Sequence, residues 1–115
     1  MEYMLLIFRE EAAMQSAKKE DLMQMSAAYM AYTEALKKAG VWIAGDRLHP
    51  SPMATTVRVK GGKTEVLNGP YAETKEQLGG YYLIDVPDLD NALSWAARCP
   101  GSSYGTMEVR PVWPM

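Results

Sequence analysis

Two segments of the chain carry apolar residues at both odd and even positions, and this pattern predicts the central strands of a sheet. They span residues 3–8 and 80–86. A strand with one buried face alternates apolar and polar residues, whereas apolar residues at both parities indicate cover on both faces. We therefore expect these two strands at the centre of a sheet that is covered on both sides.

Between these segments, apolar residues recur at alternating spacings of three and four, which is typical of one stripe along a helix. The stripe consists of Leu22, Met25, Tyr29, Tyr32, Leu36 and Ala39. Asp21 and Gln24 have the spacing of a capping box, and Gly40 is a common helix terminator. The pattern predicts a helix that begins near Asp21 and ends near Gly40.

Shorter elements complete the pattern. Asp88 is a suitable N-cap for a second helix that must end at Pro100. Its expected packing residues are Leu89, Ala92, Leu93 and Ala96. Residues 41–44 and 106–110 are typical of short strands, and Pro111 restricts the last strand to a sheet edge.

A β-hairpin interrupts this succession. Residues 55–59 alternate in polarity, and Gly61 and Gly62 supply a two-residue turn into residues 64–67. Without the hairpin the order is βαββαβ, the ferredoxin-like arrangement of an α+β domain. Both helices then lie on one face of the sheet, so the apolar opposite face needs another cover. A second copy of the sheet would provide it, which predicts a homodimer.

Composition narrows the class of protein. With 115 residues, 48% of them hydrophobic, we expect a single domain over residues 1–115. A net charge of −2 offers no basic field for direct nucleic-acid binding. Cys99 is the single cysteine, which excludes an internal disulfide and fits a reducing cytoplasm. The apolar run 3–8 is too short to span a membrane, so we expect a cytoplasmic protein with no membrane partner.

The segment between the hairpin and the second central strand is polar and turn-forming, and it is the first candidate for a site. It contains Glu73, Thr74, Lys75 and Glu76 in a row. Glu73 could act as a base or hydrogen-bond acceptor. Lys75 could be a fixed cation for an anionic ligand, because its acidic neighbours favour the charged ammonium over a nucleophilic amine. The alternative is a solvated helical turn whose charges pair locally.

Residues 68–76, Asn-Gly-Pro-Tyr-Ala-Glu-Thr-Lys-Glu, closely resemble the signature Asp-Gly-Pro-Phe-(Ala/Val)-Glu-Thr-Lys-Glu of the DGPF proteins. These proteins are a branch of the YCII-related family, and the resemblance continues through residues 54–58, 95–98 and 108–111. It implies a dimeric α+β barrel and a role for the signature residues, including Thr74, in ligand binding. It implies no reaction, because the family is largely uncharacterised.

Asn68 stands where the family signature has an aspartate. Both residues can close a turn by bonding the backbone two residues on, but asparagine cannot give or take a proton. We therefore expect Asn68 to be a turn former, and it is also a candidate ligand-binding residue. Any acid–base chemistry would then lie elsewhere.

Three further residues are candidates for ligand binding or catalysis. Arg58 and Arg110 alternate with valines on predicted strands, so they would point towards the dimer cleft and bind a polar ligand. The alternative is that Arg58 is exposed on the hairpin and that Glu108 pairs with an arginine across strands. His49 is the only histidine and could be a general acid or base, or a histidine of a surface loop.

The sequence gives little support for a histidine-based dyad, a metal site or a cofactor site. A related YCII branch is thought to use a histidine near the start of its first helix, and this chain has none there. One histidine and one cysteine, fifty residues apart, do not have the spacing of a zinc site. Phosphate-cradling glycine motifs are absent as well. We expect neither a metal nor a cofactor.

These observations predict a homodimer that binds a small polar or anionic metabolite in a cleft, with acid–base catalysis by Glu73 or His49 as an extension. The alternative is a non-catalytic accessory module linked to sigma-factor-dependent transcription, a connection often made for DGPF-like proteins. The two hypotheses differ in burial. A catalytic site needs Glu73 or His49 inside a pocket, whereas a docking module exposes an apolar patch.

Overall fold

A computed structural model describes all residues, 1–115, as an α+β domain built on a four-stranded antiparallel sheet. The main strands are β1 (Glu2–Glu10), β2 (Trp42–Arg47), β5 (Glu76–Asp85) and β6 (Thr106–Pro111), in the order β2-β5-β1-β6. The helices are α1 (Glu11–Gln15), α2 (Lys19–Lys38), α3 (Leu89–Arg98) and α4 (Gly101–Tyr104), with a short 3-10 helix at Ser51–Met53. The two strands that are apolar at both parities are central, and the strand that ends at Pro111 is an edge strand, as predicted.

The core lies between the sheet and the helices α2 and α3. Alternate residues of β1 and β5 face the helices, and Leu5 and Ile84 are fully buried there. From α2, Leu36 is fully buried, and the ring of Tyr32 meets the ring of Tyr82 edge-on at 5.2 Å. The Tyr32 hydroxyl donates a hydrogen bond of 2.7 Å to a backbone carbonyl of α3. The predicted helical stripe therefore holds the two long helices against the sheet.

The opposite face of the sheet has no helix on it. Its apolar side chains Met4, Leu6, Phe8 and Leu83 are only half-buried, although they alternate with the most buried residues of the chain. We call these four residues the open sheet face. An apolar surface of this kind, left without cover in one protomer, is the feature that made us expect a second copy.

Strands β3 (Thr55–Lys60) and β4 (Lys63–Asn68) form a separate two-stranded sheet that joins no strand of the main sheet. We call this hairpin the arm. Gly61 and Gly62 form its turn with positive φ angles of 58° and 77°, a conformation that favours glycine at both positions. The predicted insertion is therefore confirmed, together with its turn.

Several local predictions were wrong. Helix α2 begins at Lys19, so Asp21 lies inside the first turn and its capping box with Gln24 does not form. Residues 73–75 form an irregular loop instead of a helical turn, because Glu76 already belongs to β5. In α3 the core contacts come from Ala92 and Ala96, whereas the leucines at 89 and 93 are exposed. None of the helices has both the length and the apolarity that membrane crossing requires.

Candidate functional site

A cleft of about 470 Å³ opens between α2 and the helix-facing side of the sheet. Its α2 wall consists of the half-buried side chains Leu22, Met25 and Tyr29. Ile7 of β1 and Tyr82 of β5 lie on the sheet side. The N-terminal half of the predicted stripe therefore lines a cavity, while its C-terminal half fills the core.

Two glycines of β5 leave space at this cleft because they have no side chains. A Cβ on Gly79 would lie only 2.7 Å from Nε of Arg9, and a Cβ on Gly80 would lie 2.8 Å from the backbone oxygen of Asp46. The pairing of β1 and β5 shifts register here, so Gly79 has no partner in β1. The missing side chain of Gly79 thus leaves room for Arg9 against the strand.

Arg9 and Arg47 are the two cationic residues of the cleft. Arg9 follows Ile7 by two residues along β1, and Arg47 pairs with Gly80, so both side chains are on the helix-facing side of the sheet. Neither guanidinium forms an ion pair, because both salt bridges of the structure lie elsewhere. Arg9 is half-buried and Arg47 is exposed. Two unpaired guanidinium groups at one cleft favour a carboxylate, phosphate or phenolate.

Hydroxyl groups and aromatic rings supply the rest of the lining. Thr33 Oγ1 lies 3.0 Å from the hydroxyl of Tyr82, and the hydroxyl of Tyr104 donates to that of Tyr29 at 2.6 Å. Burial raises the pKa of both Tyr29 and Tyr82. At neutral pH these phenols therefore stay protonated and act as hydrogen-bond partners instead of bases.

Asp46 borders the cleft with its backbone, because it pairs with Tyr81 and its carboxylate lies on the face of the sheet opposite to the buried Tyr82. Its Oδ2 accepts a hydrogen bond of 2.8 Å from the hydroxyl of Tyr81. This hydrogen bond raises the pKa of Tyr81, since loss of the phenol proton would set two negative charges against each other. Because its carboxylate is on the other face of the sheet, Asp46 leaves the two arginines without an ion-pair partner.

A second cleft, of about 430 Å³, adjoins the first and shares Arg9 and Arg47 with it. It adds His49 and Glu11 to the lining. The Glu11 carboxylate accepts hydrogen bonds from the backbone N–H of Ser51, at 2.7 Å, and from the Ser51 hydroxyl. Glu11 thus ties α1 to the loop that carries His49, and His49 borders the same cavity as the two arginines.

The signature residues Glu73, Thr74 and Lys75 lie in an exposed loop and line neither cleft. Gln77 closes this loop by donating its side-chain amide to the carbonyls of Ala72 and Thr74. Because Gln77 pairs with Arg9, the loop leaves the sheet at the end where the cleft opens. The single protomer therefore brings these residues to the same end of the sheet, but not into the cavity.

Arg58 and Arg110 also lie outside both clefts. Arg58 lies in the middle of strand β3 of the exposed arm, and its guanidinium lies over the ring of Tyr71, 5.6 Å from its centre. Arg110 approaches Glu108 to 4.0 Å on its own strand, so the expected pairing of Glu108 with an arginine occurs along the strand.

Asn68 does not close the turn, and our expectation for it was wrong. It is the last residue of β4 and forms no side-chain hydrogen bond. Gly69, at a φ of 108°, makes the turn, and its N–H donates to the carbonyl of Ala54 at 2.7 Å. The hydroxyl of Thr56 donates to the Gly69 carbonyl at 2.8 Å. The glycine supplies the conformation that the asparagine was expected to stabilise.

Sequence reasoning missed Arg9 and Arg47. The signal for Arg9 was its parity, since it continues the series of buried positions Tyr3, Leu5 and Ile7. Arg47 gave no such signal, because it lies beyond the predicted end of its strand. No group of three or more histidine, cysteine, aspartate or glutamate side chains is placed to hold a metal ion.

Comparison with known proteins places this geometry in context. A family model described as the YCII-related domain matches residues 1–115. An uncharacterised protein of Rhizobium meliloti (strain 1021) is 40% identical over 118 residues, covering 97% of this chain and 92% of that protein. A solved structure of 5-chloro-2-hydroxyhydroquinone dehydrochlorinase from Burkholderia phenoliruptrix AC1100, in complex with 2,5-dihydroxybenzoquinone, matches with a TM-score of 0.58. The match covers 98% of this chain and 94% of that one at 16% identity, which supports a shared fold.

Proposed function

The chain belongs to the YCII-related family, and from this premise we propose that it binds a small anionic metabolite in the cleft between α2 and the sheet. The observation that carries the proposal is the pair of guanidinium groups, Arg9 and Arg47, without a carboxylate partner. A cleft of about 470 Å³ is within the range of small-molecule sites. Arginine presents a planar set of donors, so it recognises carboxylates and phenolates by two parallel hydrogen bonds.

The walls of the cleft favour a flat ligand with hydroxyl groups. Trp42, Tyr29 and Tyr82 contribute aromatic surface, and Ser26 and Thr33 contribute hydroxyls. The dehydrochlorinase that shares the fold holds 2,5-dihydroxybenzoquinone, a small planar ring with two hydroxyls. A ligand of that size and polarity would fit this cleft, with its negative charge next to the arginines.

We propose His49 as the group that moves a proton. It is an exposed loop residue that borders the second cleft, which shares Arg9 and Arg47 with the first, and an imidazole can donate or accept a proton. The guanidinium groups would stabilise negative charge on a ligand oxygen, while the imidazole accepts a proton from the ligand. Glu73 stays a prediction, because in the single protomer it lines neither cleft.

We propose in addition that the protein is a homodimer, because the open sheet face would otherwise remain in water. The same exposed apolar surface was the expected mark of an accessory docking module. A second copy of the chain accounts for it without another partner. The dimer and the cleft are separate proposals, because the cleft is lined within one protomer.

A thermal-shift screen with charge-matched pairs tests the proposed ligand class. Benzoate is compared with benzamide, and 2,5-dihydroxybenzoquinone with an uncharged quinone of similar size. We expect the anionic member of each pair to raise the Tm at concentrations on the order of 1 mM and the neutral member to leave it unchanged. Equal shifts from neutral and anionic members, or no shift from any anion, would contradict the proposal.

A further inference from the structure

The arm has an apolar face on which no other part of the protomer packs. Val57 and Val66 are direct cross-strand partners and share this face with Val59. Their side chains are 59%, 61% and 69% exposed, respectively. The opposite face of the arm carries the charged residues Lys63 and Glu65. A hairpin with one apolar and one charged face is built to cover another surface with the apolar one.

The rest of the protomer does not supply that surface. The arm is a two-stranded sheet of its own, and at its base Gly69 bonds Ala54 and Thr56, which joins the ends of its two strands. A two-stranded hairpin without further packing is marginally stable in water. Its regular pairing from Thr55–Asn68 to Lys60–Lys63 therefore calls for a partner that buries the valines.

The dimensions of the protomer indicate how much surface that partner could bury. The radius of gyration is 16.0 Å, whereas a compact chain of this length has about 13 Å. The accessible surface is 8190 Å², which exceeds by about 1,900 Å² the area expected for a compact protein of this mass. A standard interface buries only about 800 Å² on each partner. The excess accessible surface is enough for a large interface between two subunits.

We propose that the arm docks on a second copy of this chain, with its valine face against the partner subunit. The occupant is a second copy because the protomer also leaves the open sheet face without cover, and both surfaces are apolar. In a two-fold dimer each arm packs against the other subunit, and the charged face of the arm remains in water. This inference rests on the proposed homodimer and is independent of the ligand proposed for the cleft.

Substitution of the three valines by threonine tests the docking. The variant Val57→Thr/Val59→Thr/Val66→Thr keeps the branched shape and the strand propensity but adds hydroxyls to the docking face. The matched control is Lys63→Thr/Glu65→Thr, which changes the opposite face of the arm and leaves the net charge as it is. Sedimentation equilibrium would give the dimer Kd of each protein.

We expect the valine variant to raise the dimer Kd by at least about tenfold and the control to change it less than about threefold. A valine variant that dimerises as tightly as the wild type would overturn the docking while leaving the dimer and the ligand site intact. A monomeric wild type would overturn the dimer and the docking together. Titration of the same samples with 2,5-dihydroxybenzoquinone reports on the cleft separately.

Amide hydrogen exchange of the wild type provides a second measurement that does not depend on how the variant folds. In the docked dimer the amides of residues 55–68 are protected, and they exchange faster when the protein is diluted below its dimer Kd. Exchange at the same rate above and below the Kd would show that the arm has no partner in the dimer and would overturn the proposal.

Discussion

Gly79 and Gly80 are neighbours in β5, but their missing side chains serve different purposes. A Cβ on Gly79 would meet the flexible side chain of Arg9, whereas a Cβ on Gly80 would meet the backbone of β2. The first contact can be relieved by a movement of Arg9. The second requires the paired strands β2 and β5 to separate.

We therefore expect the two alanine variants to behave differently. Gly79→Ala should weaken anion binding in the cleft several-fold, because Arg9 moves, and should change the free energy of unfolding by less than about 1 kcal/mol. Gly80→Ala should lower stability by about 1–3 kcal/mol through overpacking. Urea denaturation and titration with an anionic ligand measure both quantities. Equal loss of stability in the two variants would contradict this distinction.

Buried acidic groups make the stability of the fold sensitive to alkaline pH. Burial raises the pKa of the Cys99 thiol to about 11, and burial also raises the pKa of Tyr32. The unfolded chain loses these protons at lower pH than the folded chain does. Stability is therefore fully present below the unfolded pKa of the thiol, about 8.5, and it is lost as the pH rises towards the folded value.

We expect the urea midpoint to fall between about pH 9 and pH 11 and to stay level between about pH 7 and pH 8.5. Cys99→Ala removes the thiol contribution and should reduce this fall, with the tyrosines accounting for the remainder. A midpoint that is constant from neutral to alkaline pH would show that these groups are not buried as the structure describes.

At the scale of elements, the strands were predictable because burial imposes a period on the sequence. Apolar residues at both parities identified β1 and β5 as central, and Pro111 identified β6 as an edge strand. The first turn of α2 was placed too late, because it is exposed and carries no apolar signal. Residues 73–75 form a loop whose path is fixed by hydrogen bonds from the side-chain amide of Gln77 to the carbonyls of Ala72 and Thr74.

The site was less predictable than the elements. His49 was a candidate as the only histidine, and the structure places it at a cleft. Arg9 and Arg47 come together through the pairing of β5 with both β1 and β2, which is a long-range feature of the sheet. The sequence around a charged residue at the end of one strand does not indicate which other strand end will lie next to it.

The base of the arm offers a test at the element scale. Thr56 bonds the carbonyl of Gly69, whereas Asn68 makes no side-chain hydrogen bond. We expect Thr56→Val to destabilise the protein by about 1 kcal/mol, since a hydrogen bond is lost at constant shape. Asn68→Ala should change stability by less than about 0.5 kcal/mol. If denaturant unfolding shows the larger loss for Asn68→Ala, the asparagine is the turn former after all.

At the scale of the whole molecule, the protomer is flat, with extents of 47 × 43 × 18 Å. Its helices cover one side of the sheet, while the open sheet face and the arm remain uncovered. The sequence indicated the open sheet face, because β1 and β5 carry apolar residues at both parities. The sequence did not indicate that the arm would remain uncovered, because an alternating hairpin has the same pattern whether its apolar face meets its own core or another chain.

The central claim is that Arg9 and Arg47 form the anion site, and two charge-matched double variants test it most directly. Arg9→Gln/Arg47→Gln removes the cleft cations, and Arg58→Gln/Arg110→Gln removes two cations that line neither cleft. Both variants lose two positive charges, so a general electrostatic effect would be equal in the two. Calorimetric titration with the best anion of the screen gives the affinity of each protein.

We expect the first variant to lose at least about a hundredfold in affinity, about 2.7 kcal/mol for two charge-assisted contacts, and the second to bind like the wild type. Loss of binding in the second variant with full binding in the first would contradict the account, because it would place the site at the arm and the open sheet face.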